Sequence, residues 1–392
     1  MTELTPRLAA SLANGVYGLT KNVTIEGAIK DLNAQFKDVA SFSEDLMLKA
    51  KTGGPWFIKC RTAYGFTLIG KEKFIGQAFI LFRGTQYLAD WLTNLNVGAS
   101  RSASGQPVHD GFNMSFNTMK LELTAFMNSV CKSNITDIHC IGHSLGGALA
   151  TLCADWIRSS YNRQVYLYTF GSPRVGLYDF SNYCTTQVGA ERIFRAYHKT
   201  DIVPCIPTWP FVHTPNSGRD YYLPSPGIIP LAEYHSMDRY IESVSGKSWA
   251  ALANLRNDNK NDDAILVWLK TSSPTGITLT ALDWMGEALL YILTKCMKGA
   301  APLISRAVGT SFTIMDQLAY ILKTGIDLSE TTATLVQQLV RKIMAMLGMQ
   351  GTLDKIDLTA NFIRSLLLRL QQKVNEFVQS VLNNALVEGR AL

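Results

Sequence analysis

Cysteine patterns that mark a disulfide scaffold or a zinc site are missing from this chain. Its 392 residues include seven cysteines, an odd number, which are scattered and form no C-x-x-C pair. Disulfide-rich domains and structural zinc sites need paired or closely spaced cysteines. This usage is typical of a protein that folds in a reducing compartment, and we expect neither a metal nor a cofactor.

Long apolar runs and strong charge of one sign are also missing. The best candidate for a membrane span, residues 277–293, contains Asp283 and Glu287, so we expect no transmembrane segment. The apolar stretch at the N-terminus is too short and broken for a Sec-type signal. We therefore expect synthesis in the cytoplasm and, for any export, a non-Sec secretion system. The net charge of +6 comes without long Lys/Arg runs, which argues against nucleic acid as a partner.

Composition and periodicity predict two units. The chain is 47% hydrophobic and 17% charged, which is ample for a packed core. Strand-like apolar runs alternate with helical segments, one of them at 112–131, and this pattern predicts an α/β fold with a mostly parallel sheet and helices on both faces. The runs are 65–69, 78–82, 138–141, 165–170 and 193–197.

Beyond this region the sequence predicts only helices. We expect a catalytic domain at 1–245, a polar linker at 246–263 and an all-helical C-terminal domain at 264–392. Between Ile363 and Val381, apolar residues recur at spacings of four and three. This spacing predicts a coiled-coil-like seam, which would pack on another helix of this chain or of a second copy.

The pentapeptide Gly142-His143-Ser144-Leu145-Gly146 is the most informative motif. It lies between a predicted strand and a helix-prone run of small residues. Strand, sharp turn and helix with a serine at the apex is the pattern of a nucleophile elbow. It predicts Ser144 as a nucleophile with a solvent-facing hydroxyl, the backbone N–H of Leu145 as an oxyanion donor, and His143 as a packing residue.

A serine nucleophile needs a histidine base and a carboxylate that orients the base, and on this topology both follow the serine. Asp201 comes just after the predicted strand 193–197, although position alone does not separate an acid from a turn-forming aspartate. Two histidines follow. His213 falls on a strand of a predicted β-hairpin, whereas His235 precedes a helical stretch. A loop at a helix start brings an imidazole to the serine more readily, which favours His235.

Five sequence blocks occur along the chain in this order: Phe82-Arg83-Gly84-Thr85, Val108-His109-Asp110-Gly111-Phe112, Gly142-His143-Ser144-Leu145-Gly146-Gly147, Phe170-Gly171-Ser172-Pro173-Arg174-Val175-Gly176 and Asp201-Ile202-Val203-Pro204. Through these blocks the chain resembles the class 3 (fungal-type) triacylglycerol lipase family over roughly residues 8–245. One departure is Leu177, where the family usually has Asn.

This resemblance implies an α/β-hydrolase-like fold with a triad of Ser144, Asp201 and His235. It also assigns the second oxyanion donor to Thr85. A short amphipathic stretch follows at the position where such lipases carry a lid over the acyl site. Its apolar residues are Leu88, Trp91, Leu92 and Leu95.

The leading hypothesis is a serine carboxylester hydrolase of the lipase or phospholipase A type, acting on a lipid or membrane-interface substrate through an acyl-enzyme. The alternative is a lipase-like interaction or signalling protein that binds partners through its helical C-terminal domain. In overall plan the chain also resembles antibacterial effectors of type VI secretion. That resemblance implies an immunity protein or a component of the secretion apparatus as a partner.

Overall fold

The computed structural model describes most of the chain. The described residues are 3–21, 24–52, 60–84, 98–208, 210–216, 220–227, 230–255, 262–271, 276–296, 313–349 and 358–387.

Seven strands form the main sheet, in the order β1-β2-β3-β6-β7-β8-β9, and β4 and β5 pair separately. The first three strands are antiparallel, whereas β3, β6, β7, β8 and β9 are parallel neighbours. This mostly parallel sheet confirms the predicted fold class. The strands are β1 Met47–Thr52, β2 Cys60–Ile69, β3 Gln77–Phe82, β4 Ala99–Arg101, β5 Pro107–His109, β6 Asp137–His143, β7 Gln164–Phe170, β8 Ile193–His198 and β9 Asp220–Leu223.

Helices cover both faces of the sheet and continue to the C-terminal region. In the part of the chain that the structure describes they are α1 Pro6–Gly15, α2 Gly18–Lys21, α3 Ile25–Gln35, α4 Asp110–Asn117, α5 Lys120–Cys131, α6 Leu145–Tyr161, α7 Tyr178–Val188, α8 Met237–Val244, α9 Trp249–Ala253, α10 Asp262–Lys270, α11 Leu279–Cys296, α12 Ile314–Leu328, α13 Glu330–Met346 and α14 Ala360–Val387.

Strand β3 shows how the sheet separates two cores. Every residue of β3 is buried, as expected for a strand covered on both faces. Because successive side chains point to opposite faces, Ile80 and Phe82 join one core, whereas Phe79 and Leu81 join the other. The first core includes residues of α4 to α7 and of the C-terminal helices. The second is built with α1, α3, α8 and α9.

Two details of the predicted secondary structure are wrong. The helix expected at 112–131 is two helices, because Thr118 ends α4 with a side-chain hydrogen bond to the Ser115 carbonyl (2.7 Å). The expected β-hairpin around His213 does not form. Instead Val212 donates its N–H to the carbonyl of Gly176 (2.8 Å), and β9 pairs in parallel with β8.

The predicted linker begins with residues that pack into the second core. Residues 249–253 form α9, and the Trp249 indole N–H donates to the carbonyl of Leu4 at 2.7 Å. The same ring packs against Phe194, with ring centroids 4.7 Å apart. Through Trp249, helix α9 therefore contacts both the N-terminal residues and the sheet.

The C-terminal helices share the first core with the sheet. Ile363, Leu367, Leu370 and Val374 on α14 are buried, and α14 packs against α12 and α13. The predicted seam is thus filled by helices of the same chain. Helix α11 also contacts residues 203–205, and α14 contacts residues 232–235. None of the described helices is long and apolar enough to cross a bilayer.

A buried arginine after β7 is influenced by acidic residues of this helical region. Arg174, only 7% exposed, donates to the backbone carbonyls of Cys205 (3.2 Å) and Pro207 (3.4 Å). Burial lowers the pKa of its guanidinium, while the negative charges of Asp283 and Glu287 on α11 act in the opposite direction. The helical region therefore supplies charge that a buried cation needs.

Because this core is continuous, we expect the chain to unfold in one transition. Leu370→Ala removes a fully buried side chain and should lower the free energy of unfolding by about 2–5 kcal/mol. Leu328→Ala, at a position 58% exposed on α12, is the control and should change it by less than about 0.5 kcal/mol. Thermal denaturation followed by tryptophan fluorescence and far-UV circular dichroism tests this. Two separate transitions, with Leu370→Ala shifting only one, would contradict it.

Candidate active site

The turn that carries Ser144 is strained. Strand β6 ends at His143 and α6 begins at Leu145, which leaves Ser144 with φ 57° and ψ −131°. A non-glycine residue in such a conformation costs on the order of 1–3 kcal/mol and persists only where its surroundings hold it. Here the Ser144 N–H donates to the carbonyl of Phe170 (3.0 Å), and the Ser144 carbonyl accepts from Gly147 (2.9 Å).

Two glycines make this turn possible by letting backbones approach closely. A Cβ at Gly142 would lie 2.1 Å from the carbonyl oxygen of Gly146. A Cβ at Gly146 would lie 2.3 Å from the carbonyl oxygen of Phe82 on the neighbouring strand. Any larger residue at either position would push apart strand, turn and helix, so the geometry is that of a nucleophile elbow.

The Ser144 hydroxyl is enclosed rather than solvent-facing. Ser144 is 2% exposed, and its Oγ has no hydrogen-bond partner among the described residues. The expected exposure is wrong because the chain following β3 packs against it: a Cβ at Gly84 would lie 2.9 Å from the Ser144 Cβ.

Leu145 is the first residue of α6, so its N–H has no acceptor within the helix and lies at the positive end of the helix dipole.

Asp201 and His235 form a buried pair. Asp201 follows the end of β8, and His235 ends the short 3-10 helix Ala232–His235 that precedes α8. The His235 Nδ1 lies 2.9 Å from Oδ2 and 3.0 Å from Oδ1 of Asp201, and both residues are 1% exposed. An imidazole that donates from Nδ1 keeps Nε2 unprotonated in its neutral form, which is the state required of a base.

Two further donors hold the Asp201 carboxylate. The N–H of Val203 donates to Oδ1 at 2.9 Å, and the hydroxyl of Tyr240 on α8 donates to Oδ2 at 2.6 Å. Burial and the nearby Asp201 charge raise the pKa of Tyr240 well above its usual value. The phenol therefore stays protonated and keeps donating to the carboxylate.

The end of β7 brings the pair to the serine turn. Phe170 accepts the Ser144 N–H, and the next residue, Gly171, has φ +56°. A Cβ at Gly171 would lie 2.7 Å from Oδ2 of Asp201 and 3.1 Å from Nδ1 of His235. Ser144 and Asp201 therefore follow the carboxyl ends of the parallel strands β6 and β8, where open α/β sheets bind ligands, and His235 is paired with Asp201.

The other histidines have different surroundings. His143, expected to be a packing residue, has both ring nitrogens in hydrogen bonds, to the hydroxyl of Tyr17 (2.7 Å) and to the carbonyl of His235 (2.6 Å). His213 follows the bridge at Val212, and its carbonyl accepts from a serine hydroxyl on α7. The structure thus places His235 at Asp201.

Sequence reasoning missed Tyr17 and Tyr240. Tyr240 lies five positions after His235 on a short amphipathic helix, and the nearby base is the one signal that could have pointed to it. Tyr17 lies 126 positions before His143, and nothing in its local sequence indicates that contact.

Part of the predicted site lies outside the described residues. Thr85, the predicted second oxyanion donor, and the predicted lid residues Leu88, Trp91, Leu92 and Leu95 all belong to this part of the chain. Their roles stay predictions.

Comparison with known proteins agrees with this geometry. Residues 79–211 match the family model described as Lipase (class 3). Over these residues the chain is similar to class 3 lipases. The match includes Ser144 and Asp201 and ends before His235.

Named relatives are also lipases and phospholipases. The secreted mono- and diacylglycerol lipase 1 of Fusarium solani is 38% identical over 128 residues, which are 32% of this chain and 38% of that protein. The phospholipase A1-II 1 of Oryza sativa subsp. indica is 27% identical over 247 residues, 53% of this chain and 60% of that protein. The chain thus covers less than two thirds of the length of either.

Among solved structures, the Rhizomucor miehei triacylglyceride lipase is similar with 24% identity and a TM-score of 0.42. This similarity covers 55% of the present chain and 78% of that one.

Gly171→Ala should disable the site without unfolding the protein. The added methyl would displace Asp201 and His235, and the positive φ would add strain. Gly246→Ala is the matched control, because Gly246 also has a positive φ (+72°) but has open space around it. We expect covalent labelling of Ser144 by a fluorophosphonate to fall by at least about tenfold in Gly171→Ala and to persist in Gly246→Ala. Equal labelling of the two variants would contradict the contact.

Proposed function

We propose that this protein is a serine carboxylester hydrolase that acts on lipid esters through an acyl-enzyme intermediate. The observation that carries the proposal is the buried Asp201–His235 pair at the strained Ser144 turn. A serine hydroxyl is a weak nucleophile unless a base removes its proton, and the base needs an acceptor at its other nitrogen. These residues supply all three parts.

In the proposed reaction, Ser144 Oγ attacks the ester carbonyl while Nε2 of His235 takes the hydroxyl proton. The imidazolium is stabilised by Asp201, which Val203 and Tyr240 hold in place. The backbone N–H of Leu145 would donate to the developing oxyanion, a contribution of about 3 kcal/mol per donor.

His235 then returns the proton to the leaving alkoxide, which departs as the alcohol. Water next attacks the acyl-enzyme with His235 again acting as base. The fatty acid leaves and the Ser144 hydroxyl is restored.

Lipid esters are the proposed substrates because the relatives are lipid hydrolases by name: a mono- and diacylglycerol lipase and a phospholipase A1.

Ser144→Ala should remove hydrolysis of every lipid ester that the wild type cleaves. We expect kcat to fall by at least about a thousandfold, because the substitution removes the oxygen that forms the proposed acyl-enzyme. Ser115→Ala, which removes a half-buried hydroxyl bonded to the Gly111 carbonyl, is the control and should keep full activity. The measurement is fatty-acid release from a panel of triacylglycerol, diacylglycerol, phospholipid and galactolipid. Hydrolysis at an unchanged rate in Ser144→Ala would overturn the assignment.

The alternative, a lipase-like interaction protein, has less support. A protein that only binds partners does not need a strained serine, a paired imidazole and a buried carboxylate with three donors. The same lipid panel separates the two functions. If the protein only binds partners, the wild type and Ser144→Ala should release equal amounts of fatty acid.

The overall plan of the sequence also predicts delivery as an antibacterial effector through a non-Sec system, with an immunity protein as partner. This stays a prediction. Directing the chain to the periplasm of a test bacterium should lower viability through lipid hydrolysis, and Ser144→Ala should restore it. Equal growth of the two strains would contradict the prediction.

A further inference from the structure

His143 lies at the centre of a chain of hydrogen bonds beside the triad. It is 2% exposed, and its ring centroid lies 4.6 Å from that of His235. Its Nε2 is 2.6 Å from the backbone carbonyl oxygen of His235, and its Nδ1 is 2.7 Å from the hydroxyl of Tyr17. A carbonyl oxygen can only accept, so the His143 proton is on Nε2 and Nδ1 is an acceptor.

Tyr17 therefore donates its hydroxyl proton to His143. The same oxygen accepts the backbone N–H of Gly84 at 2.9 Å. Burial raises the pKa of Tyr17 far above its usual value, so the phenol keeps the proton that it donates. The hydrogen bonds run in one direction, from the Gly84 N–H through Tyr17 and His143 to the carbonyl of His235.

His143 stays neutral in this position. Burial lowers the pKa of its imidazole well below its usual value, and the charge of His235 lowers it further. Neutrality matters because His235 must become an imidazolium when it accepts the serine proton. A second imidazolium with its ring centre 4.6 Å away would oppose that protonation.

The two ends of this chain are both parts of the reaction site. Gly84 follows β3 and packs against Ser144, since a Cβ there would lie 2.9 Å from the Ser144 Cβ. It also directly precedes Thr85, the predicted oxyanion donor. His235 is the proposed base. Tyr17, in contrast, comes from the turn between α1 and α2, far from both in sequence.

We propose that Tyr17 and His143 are positioning residues that hold the backbones of Gly84 and His235 in a fixed relation around Ser144. We call this pair the Tyr17–His143 relay. The proposal rests on the proposed function, because it assigns the relay a role in the same ester hydrolysis. The relay contacts neither the ester nor the Ser144 proton. It acts by aligning the proposed base, His235, and the backbone at Gly84 that precedes the predicted oxyanion donor.

Tyr17→Phe tests the relay. The substitution keeps the aromatic ring but leaves the Gly84 N–H and the His143 Nδ1 without this partner. We expect kcat to fall about 10- to 100-fold while KM changes less than about threefold, because alignment of reacting groups affects the transition state more than ground-state binding.

Tyr168→Phe is the matched control. The Tyr168 hydroxyl is also buried and also accepts a backbone N–H, that of Leu4 at 2.9 Å, but it lies outside the site. Both variants should lose similar thermal stability, and kcat should fall only in Tyr17→Phe. An equal, small change of kcat in the two variants would overturn the proposal.

Variants of His143 give a second test. His143→Gln retains an N–H donor that can reach the His235 carbonyl, whereas His143→Leu retains none. We expect the Gln variant to keep at least about tenfold more kcat than the Leu variant. Equal kcat in the two variants would contradict positioning through this hydrogen bond.

The tautomer of His143 separates failure of the relay from failure of the proposed function. Long-range ¹⁵N–¹H NMR of the imidazoles should show His143 protonated on Nε2 alone in the wild type and in Tyr17→Phe, with the Nδ1 resonance shifted in the variant because this nitrogen no longer accepts a hydrogen bond. This readout does not need turnover. Lack of any Ser144-dependent hydrolysis with the expected tautomer would reject the function, whereas an Nδ1-protonated His143 would reject the relay.

Discussion

The buried carboxylate of Asp201 is the group on which the arrangement of the site depends. A carboxylate without water needs donors, and here it has the N–H of Val203, the hydroxyl of Tyr240 and the imidazole of His235. Each donor comes from a different segment, so satisfying one side chain fixes a loop, a helix and the proposed base together. Gly171 is the position where the serine turn meets this cluster, and only a residue without Cβ fits there.

Much of this could be predicted from local patterns. The five predicted strands are present in β2, β3, β6, β7 and β8, because strands covered on both faces have continuous apolar runs. The elbow around Ser144 was predictable because its glycines are close in sequence. Strands β1, β4 and β5 were not predicted, and β9 was expected as the other strand of the hairpin around His213, which does not form. The position of His235 before a helical stretch favoured it over His213, and the resemblance to the family supported the same choice.

Contacts between distant segments could not be predicted. Tyr17 and His143 are separated by 126 positions, and neither residue has a local signal that names the other. The helical region shows the same limit. Its apolar spacing predicted that α14 packs on another helix, but spacing does not distinguish a neighbour in the same chain from one in a second copy. Packing against α12 and α13 decides that question.

The matched family segment, residues 79–211, is smaller than the part of the chain that contributes to the proposed site. It contains the nucleophile and the acid, but His235 and Tyr240 follow it and Tyr17 precedes it. Trp249, which lies beyond the predicted end of the catalytic domain at residue 245, donates a hydrogen bond to Leu4. A protein cut at the limits of the family match would keep Ser144 and Asp201 but would lack His235. A truncation of this chain therefore has to extend on both sides of the matched segment to retain every residue of the proposed site.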